Sequence, residues 1–348
     1  MEDMFEKIVE LVKDNTKETS DNFVKFSDSN YKAFQFDKKN FYSIKSLDNK
    51  SKVAFVDGGS AEILKSANFS LSVIRVSYSI FEKNKKVKTG KKEFYTFTNA
   101  VDKDNEIFYN TELISMDELV PDKNDLLLSS LDDTLKQGIT RASVSNMTSL
   151  VRRFSEIKVA SKIVDNLEGG DVIVLDGSLQ CTFTNEKKYL DELFDKAFEK
   201  GVVVSGLSKT TTLMTDKGNS IANALGKFNV DGKWCYNPVA DIRSNEHKAD
   251  ISFVKLHEKS RYVFRFEIYK EQKQKLNEVV CLLAENCKDP VFIGYPYGLI
   301  EADRSARVSN NERDTLKTFF SVKFGKDWEK IKETLTSTDA HEILDKIS

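Results

Sequence analysis

The sequence predicts an α/β protein whose mixed β-sheet carries helices on its faces. Two apolar runs, Val53–Val56 and Val172–Leu175, are each followed at once by Asp-Gly. Short runs of this kind are typical of strands buried on both faces of a sheet. Segments with the apolar spacing of helices lie between and after them, so helices and strands alternate along much of the chain.

The first strand is predicted to end at Asp57, where two glycines permit a sharp turn and the close approach of a phosphate or a metal. The segment Phe69–Phe81 alternates and is rich in β-branched residues, and Glu93–Thr98 resumes the strand pattern. We therefore expect a hairpin whose turn is the lysine-rich Lys83–Lys92. These lysines fit either a solvated tip or a DNA contact.

The order of the next segments is typical of the ribonuclease H fold, in which a leading hairpin is followed by alternating helices and strands. They are an irregular acidic insertion at Asp102–Asp133, a helix from Thr148 to Leu167 that ends at Gly169-Gly170, the strand Val172–Leu175, a helix at Lys187–Lys200 and a strand at Val202–Val204.

The remaining segments complete the predicted domain organisation. They are an amphipathic helix at Met1–Lys17, an aromatic arm at Asn15–Leu47, strands at Ala249–Leu256, Tyr262–Tyr269 and Pro290–Gly294, helices at Gln274–Asn286 and within Tyr295–Val308, and a helical tail at Glu312–Ile347 broken by Gly325. The arm packs either on its own domain or on a partner. We expect an N-terminal arm at 1–48, a domain of the ribonuclease H fold at 49–311 with an insertion at about 100–135, and a helical segment at 312–348.

The composition is that of an ordinary soluble protein. Charged residues make up 31% of the chain and hydrophobic residues 40%, with a formal net charge of −2. No global basicity indicates nucleic-acid binding, although a near-neutral total is compatible with a basic groove. The four cysteines form no CxxC pair, and no apolar run is long enough to cross a bilayer. We therefore expect a cytoplasmic protein with neither a zinc site nor a membrane segment.

The two Asp-Gly sequences suggest a metal site. If their strands are neighbours, Asp57 and Asp176 lie side by side at a spacing of about 5 Å. A helix supplies a third acid, Glu156. Oxygen ligands of this kind select Mg²⁺ or Mn²⁺, and a pair of such ions activates water in phosphodiester cleavage. The alternatives are that each Asp-Gly is only a turn and that Glu156 forms a surface salt bridge with Arg152 or Arg153.

The motifs together resemble the NurA nucleases between about residue 50 and residue 310. They are Val-Asp-Gly-Gly-Ser at 56–60, Arg-Arg-Phe-Ser-Glu at 152–156, Leu-Asp-Gly-Ser-Leu at 175–179, Gly-Leu-Ser-Lys-Thr at 206–210, Phe-Arg-Phe-Glu at 264–267 and Gly-Tyr-Pro-Tyr at 294–297. The resemblance implies a ribonuclease H-like fold and Mn²⁺-dependent cleavage of single- and double-stranded DNA from 5′ ends. It also implies a homodimeric ring and a hexameric HerA-type ATPase as the partner in DNA-end resection.

Carried over by position, the resemblance places the metal-binding acids at Asp57, Glu156 and Asp176. Lys209 corresponds to a family lysine and would hold a phosphate or the charge that develops in the transition state, unless it is a surface lysine of a polar loop. Glu267 is interpreted as a structural residue that pairs with Arg265 or Arg304.

Tyr295 corresponds to a family tyrosine, but the family histidine eight positions later is replaced here by Asp303. An aspartate binds a metal, yet it is a poor proton shuttle near neutral pH. Asp303 is therefore a further ligand, or the mechanism is altered, or activity has been lost.

Two other functions remain open from the sequence. One is an ATP-binding protein of the actin and sugar-kinase type, although no later Gly-Gly pair follows Asp176 to form its adenosine loop. The other is a non-catalytic scaffold related to the nucleases.

Overall fold

The structure is a computed structural model that describes residues 2–15, 20–46, 50–115 and 121–335. Its strands are β1 Val24–Lys25, β2 Tyr31–Ala33, β3 Phe41–Ser43, β4 Lys52–Lys65, β5 Phe69–Glu82, β6 Lys85–Lys103, β7 Glu106–Ile114, β8 Leu127–Ser129, β9 Val172–Asp176, β10 Val203–Ser208, β11 Met214–Thr215, β12 Trp234–Tyr236, β13 Ala240–Ile242, β14 Ala249–Lys255 and β15 Phe264–Tyr269. Its α-helices are α1 Glu2–Asn15, α2 Asn146–Val164, α3 Glu186–Lys200, α4 Ile221–Gly226, α5 Leu276–Glu285, α6 Tyr297–Ala306 and α7 Asn310–Phe324.

A mixed sheet of eleven strands forms the centre of the molecule, in the order β3-β12-β14-β15-β10-β9-β4-β5-β6-β7-β8. The strands β4, β9 and β10 run parallel to one another, and the strands outside this trio pair antiparallel. Parallel strands are buried on both faces, which explains why β4, β9 and β10 begin as apolar runs. The predicted mixed α/β sheet with helices on its faces is confirmed.

Alternate residues of β4 face opposite helical layers. Ala54 and Val56 pack in a core with α2 and α3, whereas Val53 and Phe55 pack in a second core with α5 and α6. This two-residue period follows from strand geometry. This alternation determines which helix can contact each polar residue that follows Val56 in β4.

The prediction that the first strand stops at Asp57 is wrong. The strand β4 continues through Asp57, Gly58 and Gly59 to Lys65 and pairs with β5 over almost its whole length. The two glycines serve close packing, because a Cβ at Gly58 would lie 2.3 Å from a Glu156 oxygen and one at Gly59 would lie 2.2 Å from the Ala306 carbonyl oxygen. At the second site the prediction holds, since β9 ends at Asp176 and Gly177 adopts a positive φ of 106°.

Three further segments differ from the prediction. The lysine-rich segment is mostly strand, because the turn is confined to Lys83–Asn84 and β6 begins at Lys85. The acidic segment at 102–133 adds β7 and β8 to the sheet. Residues 290–294 form turns and no strand. Lysine and acidic side chains are compatible with strands near a sheet edge, where one side is solvated.

The described part of the aromatic arm packs on its own chain. Its strands β1, β2 and β3 pair with β11, β13 and β12, and its aromatic residues join a core around Trp234 and Tyr236. At the other end, α7 is followed by a break at Gly325 and by helical residues 328–335, while the rest of the predicted tail lies outside the described residues. None of the described helices combines the length and apolar character needed to cross a bilayer.

Candidate active site

Two carboxylates are brought together by the register of the parallel strands. Val56 of β4 is level with Leu175 of β9, so the next residues, Asp57 and Asp176, lie side by side. Their side chains are on the face that α6 covers, because Phe55 and Val174, two positions earlier, pack against α5 and α6. The two strands are therefore neighbours, which is the condition that a shared site at Asp57 and Asp176 requires.

The third carboxylate comes from α6. One oxygen of Asp303 lies within 4.8 Å of oxygens of both Asp57 and Asp176. The end of α6 is placed by Gly59, on which the Ala306 carbonyl rests, and by Arg75, which donates to the Arg307 carbonyl at 2.8 Å. Among the described residues, these three acids form the group that could hold a metal ion.

The ammonium group of Lys209 lies between these carboxylates. Its Nζ is 2.7 Å from Asp176, 3.0 Å from Asp303 and 3.7 Å from Asp57. Lys209 follows β10, the next strand of the sheet, and so reaches the same edge. The side chain of this lysine is 39% exposed, and its charge neutralises part of a concentrated negative charge.

Glu156 lies beside this group and on the other side of β4. It belongs to α2, which packs on the opposite face of the sheet, and its carboxylate rests against Gly58. It is buried, and its oxygens are 3.8 Å from both Arg152 and Arg153. The expected salt bridge is thus present but not at the surface. A pocket of about 460 Å³ is lined by Glu156, Asp57, Asp176 and Lys209.

Burial changes the protonation of these acids. Burial, reinforced by the Asp176 carboxylate, raises the pKa of Asp57 to about 8. Burial also raises the pKa of Glu156 to about 7, although the two neighbouring arginines oppose this rise. Burial lowers the pKa of Lys209, but Asp176 and Asp57 outweigh it, so the pKa lies above its ordinary value. The site holds more negative charge than one lysine balances.

Tyr295 forms the buried wall behind the lysine. Its ring centre is 5.9 Å from the Lys209 Nζ, and its side chain is 1% exposed. Among the described residues its hydroxyl has no hydrogen-bond partner. Burial, together with the nearby aspartates, raises the pKa of Tyr295 well above its ordinary range. The hydroxyl is therefore a neutral donor at physiological pH.

Several residues that hold the loop after Asp176 were not recognised from the sequence. Arg153 donates to the Ser178 carbonyl at 2.7 Å and pairs with Glu186 at 2.8 Å. Glu267 also holds this loop, because it accepts from the Leu179 backbone at 2.7 Å. The pattern Arg-Arg before Glu156 was a signal for this role, but only the tertiary structure shows which groups each arginine contacts.

Glu267 is the centre of a buried network. It pairs with Arg265 at 2.5 Å, as predicted, and with His247 at 2.9 Å. Arg304, the alternative partner, lies near Glu301. His247 is a buried core histidine. Burial by itself would raise the pKa of Glu267, but Arg265 and His247 outweigh this effect and hold the pKa at about 2.

The residues present fit a divalent cation. All three groups of the cluster are carboxylates from separate elements, and hard oxygen donors of this kind select Mg²⁺ or Mn²⁺. Adjacent buried carboxylates also need a cation for all of them to ionise, as the raised pKa of Asp57 indicates.

This fold and cluster define a ribonuclease H-like protein with an acidic site on its central strands. The structure of the NurA nuclease from Sulfolobus solfataricus superposes with a TM-score of 0.51 at 13% identity, covering 94% of this chain and 95% of that chain. The sequence profile of the NurA domain matches residues 51–308, which is more than half of the chain. The chain therefore belongs to the NurA family.

Two structures of endonuclease V superpose with lower TM-scores. The catalytic domain of human endonuclease V gives a TM-score of 0.38 at 10% identity, covering 82% of this chain and 93% of that chain. Endonuclease V of Ciona intestinalis in complex with an inosine-containing DNA gives 0.39 at 12% identity, covering 78% and 88%. Among curated proteins, none matches this chain.

Proposed function

We propose that this protein is a metal-dependent deoxyribonuclease that hydrolyses phosphodiester bonds at DNA ends. The observation that carries the proposal is the convergence of Asp57, Asp176 and Asp303 within 4.8 Å in a chain of the NurA family. That membership favours the nuclease over the ATP-binding alternative. The position of Asp303 inside the cluster favours an active enzyme over a scaffold.

Each residue of the site has a role in this proposal. Asp57, Asp176 and Asp303 would hold Mn²⁺ or Mg²⁺, and Glu156 would complete the ligand set of a second ion from the α2 face. Bound ions of this type supply an activated water and stabilise the leaving oxygen. Lys209 contacts the phosphate, where its charge is placed for the developing anion.

The two arginines of α2 line the pocket, and the Tyr295 ring lies beside Lys209. Arg152 and Arg153 face Glu156 at 3.8 Å and bring positive charge to the pocket wall, which favours a nucleic-acid backbone. Tyr295 remains neutral because of its burial, and its hydroxyl, which has no partner among the described residues, is available to donate a hydrogen bond to a ligand. Asp303 acts as a ligand, so the proton transfer that the family histidine would perform falls to water or to another group of the site.

The proposed setting is DNA-end resection in double-strand break repair. The enzyme cleaves from 5′ ends, with endonuclease activity on single strands, as a cytoplasmic homodimer that works with a HerA-type hexameric ATPase. The amphipathic helix α1 offers a surface for the dimer or the partner, because its apolar side chains are about half exposed. They are Met4, Phe5, Ile8, Val9, Leu11 and Val12.

The proposal is tested by incubating the purified protein with linear DNA labelled at either the 5′ or the 3′ end. We expect degradation with Mn²⁺ that EDTA abolishes, and loss of degradation in Asp176→Ala and Asp303→Ala. A matched control is Asp165→Ala, an acid whose oxygens pair with Lys162 and Lys196 on the surface. Degradation by Asp176→Ala at the wild-type rate would refute the proposed metal site.

Asp303 provides the most specific test of the site. Asp303→Asn removes the negative charge of one ligand. The Mn²⁺ concentration for half-maximal cleavage should therefore rise about tenfold or more, since even the loss of a residue that supports a metal ligand weakens metal binding by about that factor. An unchanged requirement for Mn²⁺ would exclude Asp303 as a ligand. Light scattering of the purified protein, with and without an α1 deletion, tests the dimer separately from cleavage.

A further inference from the structure

A second pocket lies at the same edge of the sheet as the catalytic one. It has a volume of about 540 Å³, and its walls include Phe26, Tyr31, Gln180, Thr212 and Arg265. Pockets of this size hold small ligands or a single nucleotide.

The two pockets share the loops that leave β9 and β10. Residues 177–178 and 208–210 line the catalytic pocket, and Gln180 and Thr212 of the same loops line the second one. Arg265 of β15 is level with Ser208 of β10, and Leu207 is level with Asp176 of β9. The second pocket therefore lies two strands away from Asp176, at a distance of about 10 Å for a strand spacing of about 5 Å.

The side chains of the pocket suit a nucleobase and its backbone. Phe26 and Tyr31 are stacked, with ring centres 5.0 Å apart and planes 24° apart, and both are half-buried. Lys25 is exposed at the rim, and the Arg265 side chain is 12% exposed in the wall. An aromatic surface beside positive charge is the usual platform for single-stranded nucleic acid.

The two acids in the wall are engaged elsewhere. Asp28 accepts from the Asn30 backbone at 2.8 Å, and Asp216 accepts from the backbone and side chain of Asn22 at 2.9 Å. These bonds orient both carboxylates toward local backbone groups. The other side chains of the wall are aromatic, aliphatic, hydroxyl, amide or cationic.

The platform is fixed by the network behind it. The Tyr31 hydroxyl is 2.8 Å from His247 Nδ1, and His247 Nε2 is 2.9 Å from Glu267, which in turn accepts from the Leu179 backbone. Because Glu267 is ionised, Nε2 donates to it. The ring of Tyr31 is thereby held in a fixed position relative to the loop that follows Asp176.

We infer that this second pocket is a subsite that binds a nucleobase of the substrate strand, next to the nucleotide whose phosphate is cleaved. This inference rests on the proposed nuclease function and adds to it a stacking contact on Phe26 and Tyr31. Stacking accepts every base, so the subsite holds the strand in register without selecting its sequence.

The test measures the affinity of a short fluorescent single-stranded oligonucleotide by anisotropy. All variants are made in the Asp57→Asn background, which prevents cleavage. Phe26→Leu keeps an apolar side chain but removes the aromatic face, and we expect the dissociation constant to rise about fivefold or more. The matched control is Phe36→Leu, the same substitution in the same core but outside the pocket, where Phe36 packs edge-on against Tyr236.

A series of oligonucleotides with one abasic position each locates the subsite. One position should weaken binding in the background protein but not in Phe26→Leu, because the stacking partner has already been lost. Equal losses in both phenylalanine variants, additive losses at every abasic position, or no oligonucleotide binding would overturn the subsite.

Cleavage by the wild-type protein with Mn²⁺ is measured in parallel and separates the two proposals. If the wild-type protein cleaves DNA but the effect of the abasic position does not depend on Phe26, only the subsite is refuted. If the effect of the abasic position depends on Phe26 but no cleavage is seen, the subsite is supported and the proposed nuclease activity is refuted.

Discussion

The substitution Asp57→Asn is expected to abolish cleavage and to stabilise the folded protein in the absence of metal. The pKa of Asp57 is raised from 3.8 to about 8 by burial and by Asp176. Between these values the folded state binds more protons than the unfolded state, so this group lowers the stability as the pH rises. Asparagine has nearly the same shape as aspartate but does not titrate, so it adds no pH dependence to the stability.

The magnitude follows from the pKa difference. Keeping Asp57 protonated costs about 1.4 kcal/mol for each pH unit above its ordinary pKa, which is about 4 kcal/mol at pH 7 and about 2 kcal/mol at pH 5. The variant should therefore be more stable than the wild type in EDTA, by a margin that grows from pH 5 to pH 7. Its carbonyl oxygen can still accept from the Gly58 backbone, as Asp57 does at 2.7 Å.

The assay is thermal unfolding of both proteins in EDTA at several pH values, followed by titration with Mn²⁺. A binding ion stabilises the wild type by mass action, so the margin should shrink or reverse as Mn²⁺ is added. The control is Asp171→Asn at the other end of β9, where the carboxylate accepts from the Lys52 and Glu168 backbones at 2.8 and 2.9 Å. That variant should lose stability, by about 1–3 kcal/mol.

Two results would refute this reasoning. One is an Asp57→Asn protein that is less stable than the wild type in EDTA at pH 7. The other is a stability difference that does not change with pH, because a difference caused by proton binding must depend on it.

Three further substitutions test the surroundings of the site. Lys209→Met should slow cleavage by about 10²–10³-fold and lower the melting temperature in EDTA, because three carboxylates lose their shared cation. Gly58→Ala places a Cβ 2.3 Å from a Glu156 oxygen, so it should abolish cleavage while costing less stability than Gly59→Ala, whose Cβ meets backbone. Glu267→Gln should lower the free energy of unfolding by about 3 kcal/mol at pH 7, a loss that disappears as the pH falls from 4.5 toward 2, where the depressed pKa lies.

For each of these substitutions, one result would contradict the reasoning. Normal cleavage by Lys209→Met would remove the lysine from the phosphate contact. Normal cleavage by Gly58→Ala would show that Glu156 is not needed where it lies. A stability loss in Glu267→Gln that persists at pH 2–3 would show that the ionised carboxylate is not the stabilising form.

The sequence determined the elements that depend on local patterns. The buried strands β4 and β9 follow from apolar runs, and α2, α3 and α5 follow from helical spacing and from end signals such as Gly201, which has a φ of 73°. These patterns, with the resemblance to the NurA nucleases, also pointed to the acids at 57 and 176. Local sequence patterns suffice for these strands and helices because the residues that form each element are neighbours along the chain.

Only the tertiary structure decided how the polar residues meet. The glycines after Asp57 suggested a turn, yet β4 continues because β5 pairs with it throughout and the missing Cβ atoms admit Glu156 and the end of α6. Glu156 and Asp303 then approach Asp57 from different helices, and Asp303, at the replaced histidine position, lies within 4.8 Å of the aspartate pair. The physical reason is that strand alternation and helix packing act between segments that are distant in sequence.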